Sequence, residues 1–227
     1  MIKKTPNVAF IRDELAVLIP QYQLITDAIS GKVAIKNAGD KYLPRPNAAD
    51  RSRENKLRYE SYKKRAVFYN VTRRTLSGYV GQMFLRPPTL DYPEIMEAVV
   101  NNASGTGVSL ELLAKTAAKY TLSLSRAGVF VDYPRVDEET TSYADLQSGR
   151  VRPTINVVHP LSIINWRTRD IGAESVLSLV VIAEDFCAFD DGFEVTYEPQ
   201  WRVLGLDENG YYYQELWRND KDQNSLS

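Results

Sequence analysis

Residues 50–88 read DRSRENKLRYESYKKRAVFYNVTRRTLSGYVGQMFLRPP, and this stretch decides the first half of the fold. It contains no proline before Pro87 and Pro88, and its apolar residues recur at alternating spacings of four and three. Such spacing is typical of a helix that buries one face. We therefore predict one continuous or gently bent helix over about 51–84, roughly 50 Å long at about 1.5 Å per residue. Pro87 and Pro88 should end it.

The apolar face of this predicted helix should be buried. We expect it to pack against helical segments at 7–30 or 109–125, where apolar residues also recur with helical spacing. The residues of this face are Tyr62, Tyr69, Leu76, Val80 and Met83.

The same stretch is strongly basic. Between residues 51 and 74, nine Lys and Arg residues stand against two acidic ones, Glu54 and Glu60, a net charge of +7. The whole chain carries −1, but residues 1–74 carry +9 and residues 75–227 carry −10. This basic face can be a solvated helix face, it can pair with acidic residues of the same chain or of an adjacent copy, or it can lie close to nucleic-acid phosphates. Its members are Arg51, Arg53, Lys56, Arg58, Lys63, Lys64, Arg65, Arg73 and Arg74.

Outward from this stretch, helical patterns give way to strand patterns at about residue 128. Helices followed by an antiparallel meander indicate an α+β fold. Asn209-Gly210 is a hairpin signal and should turn the last two strands, while Trp166 and Trp201 should serve mainly as packing residues. We predict a mostly helical part at 1–127, an antiparallel β part at 128–218 and a polar tail at 219–227. We also expect the tail to continue into further domains of a longer protein.

The sequence offers little catalytic chemistry. His159 is the one histidine and Cys187 the one cysteine, so a zinc site of the usual kind is excluded. The segment 104–109, SGTGVS, lacks the lysine and the preceding strand of a phosphate-binding loop. Acidic runs at 137–139 and 190–191 are more typical of solvated loops than of cation sites. We therefore predict no catalytic, metal or cofactor-binding residues and no enzyme activity.

No segment has the apolar length of a membrane span, and the N-terminus has no apolar run of signal-peptide length. We predict no membrane association and no export.

Several segments resemble the portal proteins of tailed bacteriophages, most closely a branch known only as a domain of unknown function. The main one is RYESYKKRAVFYNVT at 58–72, and together the segments cover roughly 12–218. The others are Thr75, Gly78, Gly81, Phe84, Arg86, Pro87 and Pro88 after that segment, Tyr42-Leu43-Pro44 before it, IINWR at 163–167 and QWRVL at 200–204.

The resemblance implies a structural subunit of a ring, usually of twelve copies, at one vertex of the capsid. It implies a wing-like fold, with stem, clip and crown lying outside this chain. Its expected partners are further copies, terminase, the major capsid protein, head-tail adaptors and double-stranded DNA that passes through without sequence specificity. The ring would be assembled in the cytoplasm of a bacterial host and reside in the virion, where it serves genome packaging and ejection.

Two alternatives stay open. The basic face at 51–74 could belong to a sequence-independent nucleic-acid-binding module, or His159 with nearby acidic residues could belong to an enzyme. Oligomeric state, salt-dependent DNA affinity and the effect of His159→Ala discriminate between them.

Overall fold

The computed structural model describes residues 7–133 and 151–218, and within them helices precede strands. The predicted α+β class is confirmed. The predicted polar tail at 219–227, the acidic run at 137–139 and most of the loop around it lie outside the described residues. The helices are α1 (Asp13–Ser30), α2 (Lys32–Asn37), α3 (Arg53–Arg65), α4 (Val71–Met83), α5 (Glu97–Asn101) and α6 (Leu110–Leu124), with 3-10 turns at Gly39–Lys41 and Glu94–Met96. The strands are β1 (Gly128–Asp132), β2 (Thr154–Val158), β3 (Ile163–Ile171), β4 (Glu174–Asp190), β5 (Val195–Leu206) and β6 (Tyr212–Arg218).

The prediction of one continuous helix over 51–84 was wrong, because residues 66–70 separate α3 from α4. Ala66 leaves the helical region with φ −54° and ψ 130°. Asn70 then starts a new helix, since its side-chain oxygen accepts a hydrogen bond from the backbone N–H of Arg73 at 2.8 Å. An asparagine that satisfies a free N–H in this way favours a helix start over a helix interior.

The predicted buried face is therefore only partly buried. Leu76 is buried and lies on α4, which packs on α6. Tyr62 and Val80 are half-buried. The prediction was wrong for Tyr69, which falls in the break and is 72% exposed, and for Met83, which is 59% exposed.

The chain divides into two compact units. The first contains the residues up to Ile19 and those from Val158 onward, and the second contains Pro20–Val157. The sequence-based boundary at 127/128 differs from this division, because β1 and β2 form a separate two-stranded sheet that falls in the second unit.

The first unit is built on a four-stranded antiparallel meander in the order β3-β4-β5-β6. Ile164, Val181 and Val203 are buried on it, and Trp201 packs against them as predicted. Residues before α1 cover this core: Val8 packs on it, and the N–H of Arg12 donates to the carbonyl of Ile164 at 2.9 Å. The guanidinium of Arg12 also lies 4.9 Å from the ring centre of half-buried Trp166.

The last hairpin turns at Asn209-Gly210, as predicted. Asp207 organises the turn, because its carboxylate accepts from the N–H groups of Asn209 at 2.9 Å and Tyr211 at 2.8 Å. Gly210 adopts φ +87°, a conformation that favours glycine.

Candidate functional site: the basic surface of helices α3 and α4

The inner face of α3 is polar rather than apolar and holds the connector that precedes it. Asn55 is buried and donates through its side-chain amide to the carbonyls of Asn47 at 2.8 Å and Asp50 at 2.6 Å. Tyr59, also buried, donates its hydroxyl to the carbonyl of Leu43 at 2.8 Å. These bonds fix which side of α3 faces inward, so the remaining sides carry the charged residues into solvent.

The basic residues predicted from the sequence do lie on the surface. Eight of the nine are exposed, and Lys63 is half-buried. Arg51 precedes α3, six of the others lie on α3, and Arg73 and Arg74 lie on the first turns of α4. We call this set, residues 51–74, the basic surface.

Lys63 is the one member of this set with a carboxylate partner among residues 7–133 and 151–218. Its ammonium lies 2.8 Å from Glu60 and 4.9 Å from the ring centre of Tyr59. The contacts of Arg65 and Arg74 are to neutral oxygens, the carbonyl of Ser61 at 3.3 Å and the hydroxyl of Tyr69 at 3.2 Å. Pairing within the described chain therefore does not neutralise the basic surface, which leaves it available to another molecule.

Five of the nine cations of the basic surface lie beside the break between α3 and α4. Lys63, Lys64 and Arg65 occupy the last turn of α3, where cations are favourable. Arg73 and Arg74 lie at the start of α4, where the dipole is itself positive and a cation costs about 0.3–1 kcal/mol. Arg73 and Arg74 therefore do not contribute to the stability of α4 through its dipole.

A groove adjoins the basic surface on the second unit. It has a volume of about 520 Å³ and lies between α1, α4 and α6. We call it the α4 groove. Its lining is Ile25, Ile29, Val71, Thr72, Thr75, Leu76, Tyr79, Leu122 and Ser123.

Sequence reasoning did not find the α4 groove, because its walls come from three helices far apart in the chain. One signal was available: Val71, Thr75 and Tyr79 repeat at a spacing of four on one side of α4. At about 100° per residue around the helix, Arg74 lies to one side of that row, whereas Arg73 lies on the opposite face of α4.

Most of the other candidate residues make local contacts within the fold. His159 is half-buried, and burial lowers its pKa. Its Nδ1 accepts from the N–H of Leu161 at 3.2 Å. Residues 104–109 form a turn in which Asn102 accepts from the N–H of Gly107 at 2.7 Å, and Ser109 caps α6. Asp191 accepts from the N–H groups of Glu194 and Phe193, which hold the pKa of Asp191 below its usual range. Cys187 is exposed.

Among the described residues, no group of three or more His, Cys, Asp and Glu side chains is arranged to hold a metal ion. In the same part of the chain, none of the helices combines the length and the apolar character that crossing a bilayer requires. In comparisons with known proteins, no protein-family model matches the chain and no curated protein matches its sequence.

Proposed function

We propose that this chain is a non-enzymatic, structural subunit of a bacteriophage portal ring. The ring would conduct the genome during packaging and ejection, and it would bind terminase and head-tail adaptors. The observation that carries the proposal is the basic surface, in which eight of nine cations are exposed and have no carboxylate partner among the described residues, in a protein whose residues 75–227 carry −10. Because residues 12–218 resemble portal proteins, we interpret this charge separation as a means by which subunits associate in a ring.

A closed ring needs heterologous contacts, in which one patch of a subunit meets a different patch of the next. A subunit with opposite charges on different parts suits such head-to-tail association. Each exposed ion pair contributes only about 0–1 kcal/mol. The whole set of ion pairs, rather than any one of them, would therefore fix how neighbouring subunits align.

A sequence-independent nucleic-acid-binding module is the second candidate. The same exposed and unpaired cations favour it, together with Tyr69, which is 72% exposed among them and could stack on a base. A conduit for DNA differs from such a module in affinity, because tight phosphate binding would slow a strand that has to slide.

Imaging of the purified protein by negative stain, with mass photometry at low and high salt, separates the two candidates. A ring with a central hole, with weak affinity for duplex DNA, supports the portal proposal. A monomer that binds duplex DNA tightly, with an affinity that falls steeply with salt, supports the binding module and overturns the portal proposal.

A further inference from the structure

The β4–β5 hairpin extends beyond the rest of its sheet. The pairing of β3 with β4 ends at Ile163 opposite Ile182, and the described residues of β6 end at Arg218 opposite Gln200. Beyond these points β4 and β5 pair only with each other among the described residues, from Asp185 opposite Pro199 outward. We call residues 185–199 the arm.

The arm presents aromatic side chains to solvent. Phe193 in its turn is 100% exposed, Tyr197 is 65% exposed and Phe189 is 53% exposed. The turn is held in shape, because Asp190 accepts from the N–H of Gly192 at 2.8 Å and Asp191 from that of Phe193 at 2.9 Å. A two-stranded ribbon is marginally stable alone, and an ordered apolar tip is typical of an interaction site.

The arm is also strongly acidic. Between residues 185 and 199 there are five acidic side chains and no basic one. The basic surface of the second unit, at +7, is opposite in sign. The α4 groove supplies the apolar counterpart, and Arg74 directly precedes its wall residue Thr75 in α4.

We propose that the arm of one copy docks in the α4 groove of a second copy, with its aromatic tip in the groove and its carboxylates against the basic surface. The groove volume of about 520 Å³ falls within the range of about 300–1,000 Å³ of sites that enclose compact ligands. Tyr197 is paired with Cys187 and Phe189 with Thr196, so Tyr197 and Phe189 face opposite sides of the arm and only one of them can accompany Phe193. Two aromatic side chains, Phe193 and Tyr197, would bury at most about 300–500 Å² at about 150–250 Å² each. This inference deepens the proposed function and rests on it only in that copies of the chain associate.

Cys187 provides the test, since it lies on the arm, is exposed and is the only cysteine of the chain. A Thr75→Cys variant places a second thiol on the wall of the α4 groove, and a short bis-maleimide links the two if they meet. Thr106→Cys is the matched control, because it is exposed and precedes the start of α6, roughly 20 Å along that helix from the groove residue Leu122. Equal amounts of ¹⁴N and ¹⁵N chains are mixed, reassembled and cross-linked, and the linked peptides are identified by mass spectrometry.

We expect links between Cys187 and position 75 that join light to heavy chains, with at least tenfold fewer links to position 106. Links confined to chains of one isotope would place the arm in the groove of its own chain and overturn the proposal. Assembly with no link to position 75 would also overturn it, while leaving the portal proposal intact. Absence of both assembly and links would overturn both.

A second pair of variants avoids dependence on the linker. Phe193→Ser should weaken assembly about tenfold without affecting folding, because the side chain is fully exposed in the single chain. Tyr211→Ser, which removes a 72% exposed aromatic at the β5–β6 turn, should leave assembly unchanged. Equal effects of both substitutions would contradict the specific docking of the arm.

Discussion

Asn70 performs two functions with one side chain. Its oxygen caps α4, and its amide nitrogen donates to the carbonyl of Ile29 at the end of α1, at 3.2 Å. Gly31 makes room for it, since a Cβ at that position would lie 3.0 Å from the Asn70 amide nitrogen. The break between α3 and α4 is therefore connected to the end of α1 by a single residue.

We predict that Asn70→Ala lowers the free energy of unfolding by about 1–2 kcal/mol, because it removes a helix cap and leaves the Ile29 carbonyl without this donor. Asn70→Ser keeps a capping oxygen but is too short for the Ile29 carbonyl, so it should cost less. Urea denaturation measures both variants. A serine variant as unstable as the alanine variant would show that the cap contributes little.

Asp27 on α1 fixes the connector that follows α2. Its carboxylate accepts from the hydroxyl of Tyr42 at 2.6 Å, from Lys41 at 3.1 Å and from Gln23 at 3.1 Å. The Tyr42 hydroxyl is the main reason that the pKa of Asp27 lies below its usual range, with smaller contributions from Lys41 and Gln23.

A lowered pKa in the folded state means that ionised Asp27 stabilises the fold above the unfolded pKa of about 3.9, and that this contribution is lost as pH falls through the folded pKa. We predict that Asp27→Asn lowers the free energy of unfolding by about 1–2 kcal/mol at pH 7. The difference from the native chain should shrink below about pH 4. Urea titrations at pH 7 and at acid pH measure it, with Tyr42→Phe as a partial control. A difference that is constant with pH would contradict the role of the charge.

At the scale of elements, the local signal of the last hairpin was read correctly, whereas the helix cap at Asn70 was missed. The turn at Asn209-Gly210 could be predicted, because its geometry depends on the residues of the turn itself. The break at 66–70 could not, because the spacing of four and three continues through Tyr69 and Arg73. The capping bond of Asn70 is local, but its second bond, to Ile29 at the end of α1, joins residues 41 positions apart.

The basic surface could also be predicted from the sequence, because exposure is the usual state of Lys and Arg. The arm could not. It results from unequal strand lengths, 17 residues in β4 against 9 in β3 and 7 in β6, and these lengths follow from the pairing register rather than from β4 alone.

Gly205 on β5 lies beneath the ring of Tyr213 on β6. These residues are directly paired, and a Cβ on Gly205 would lie 2.4 Å from the Tyr213 ring. We predict that Gly205→Ala costs about 1–3 kcal/mol of stability through this overlap. Tyr213→Ala in the same chain should recover most of that loss, and a double-mutant cycle by urea denaturation measures the coupling. Additive effects would show that the backbone of β5 shifts to relieve the contact.

At the scale of the whole molecule, the separated charges should make assembly depend on salt. Contacts between exposed charges are screened over about 8–10 Å near physiological ionic strength. We predict that the combined change of Lys63, Lys64 and Arg65 to Glu shifts rings toward monomers, as does raised salt with the native chain. Mass photometry measures both shifts.

The matched control for this reversal keeps the charges, with Lys63→Arg, Lys64→Arg and Arg65→Lys. It should assemble as the native chain does, because exposed charge pairs depend weakly on the identity of the cation. Normal assembly of the reversed variant with loss of DNA packaging would assign these residues to the channel or to the packaging motor, and the pairing hypothesis would be wrong.

The excess length of β4 has a consequence for the amide protons of the first unit. Backbone hydrogen bonds beside buried residues such as Val181 open rarely, whereas those of an exposed ribbon open easily. Deuterium should therefore enter residues 185–199 of the isolated chain well before it enters the four-stranded part of the sheet. Assembly that covers the arm should slow this exchange. Hydrogen exchange of the unmodified protein would therefore detect association without a chemical cross-linker.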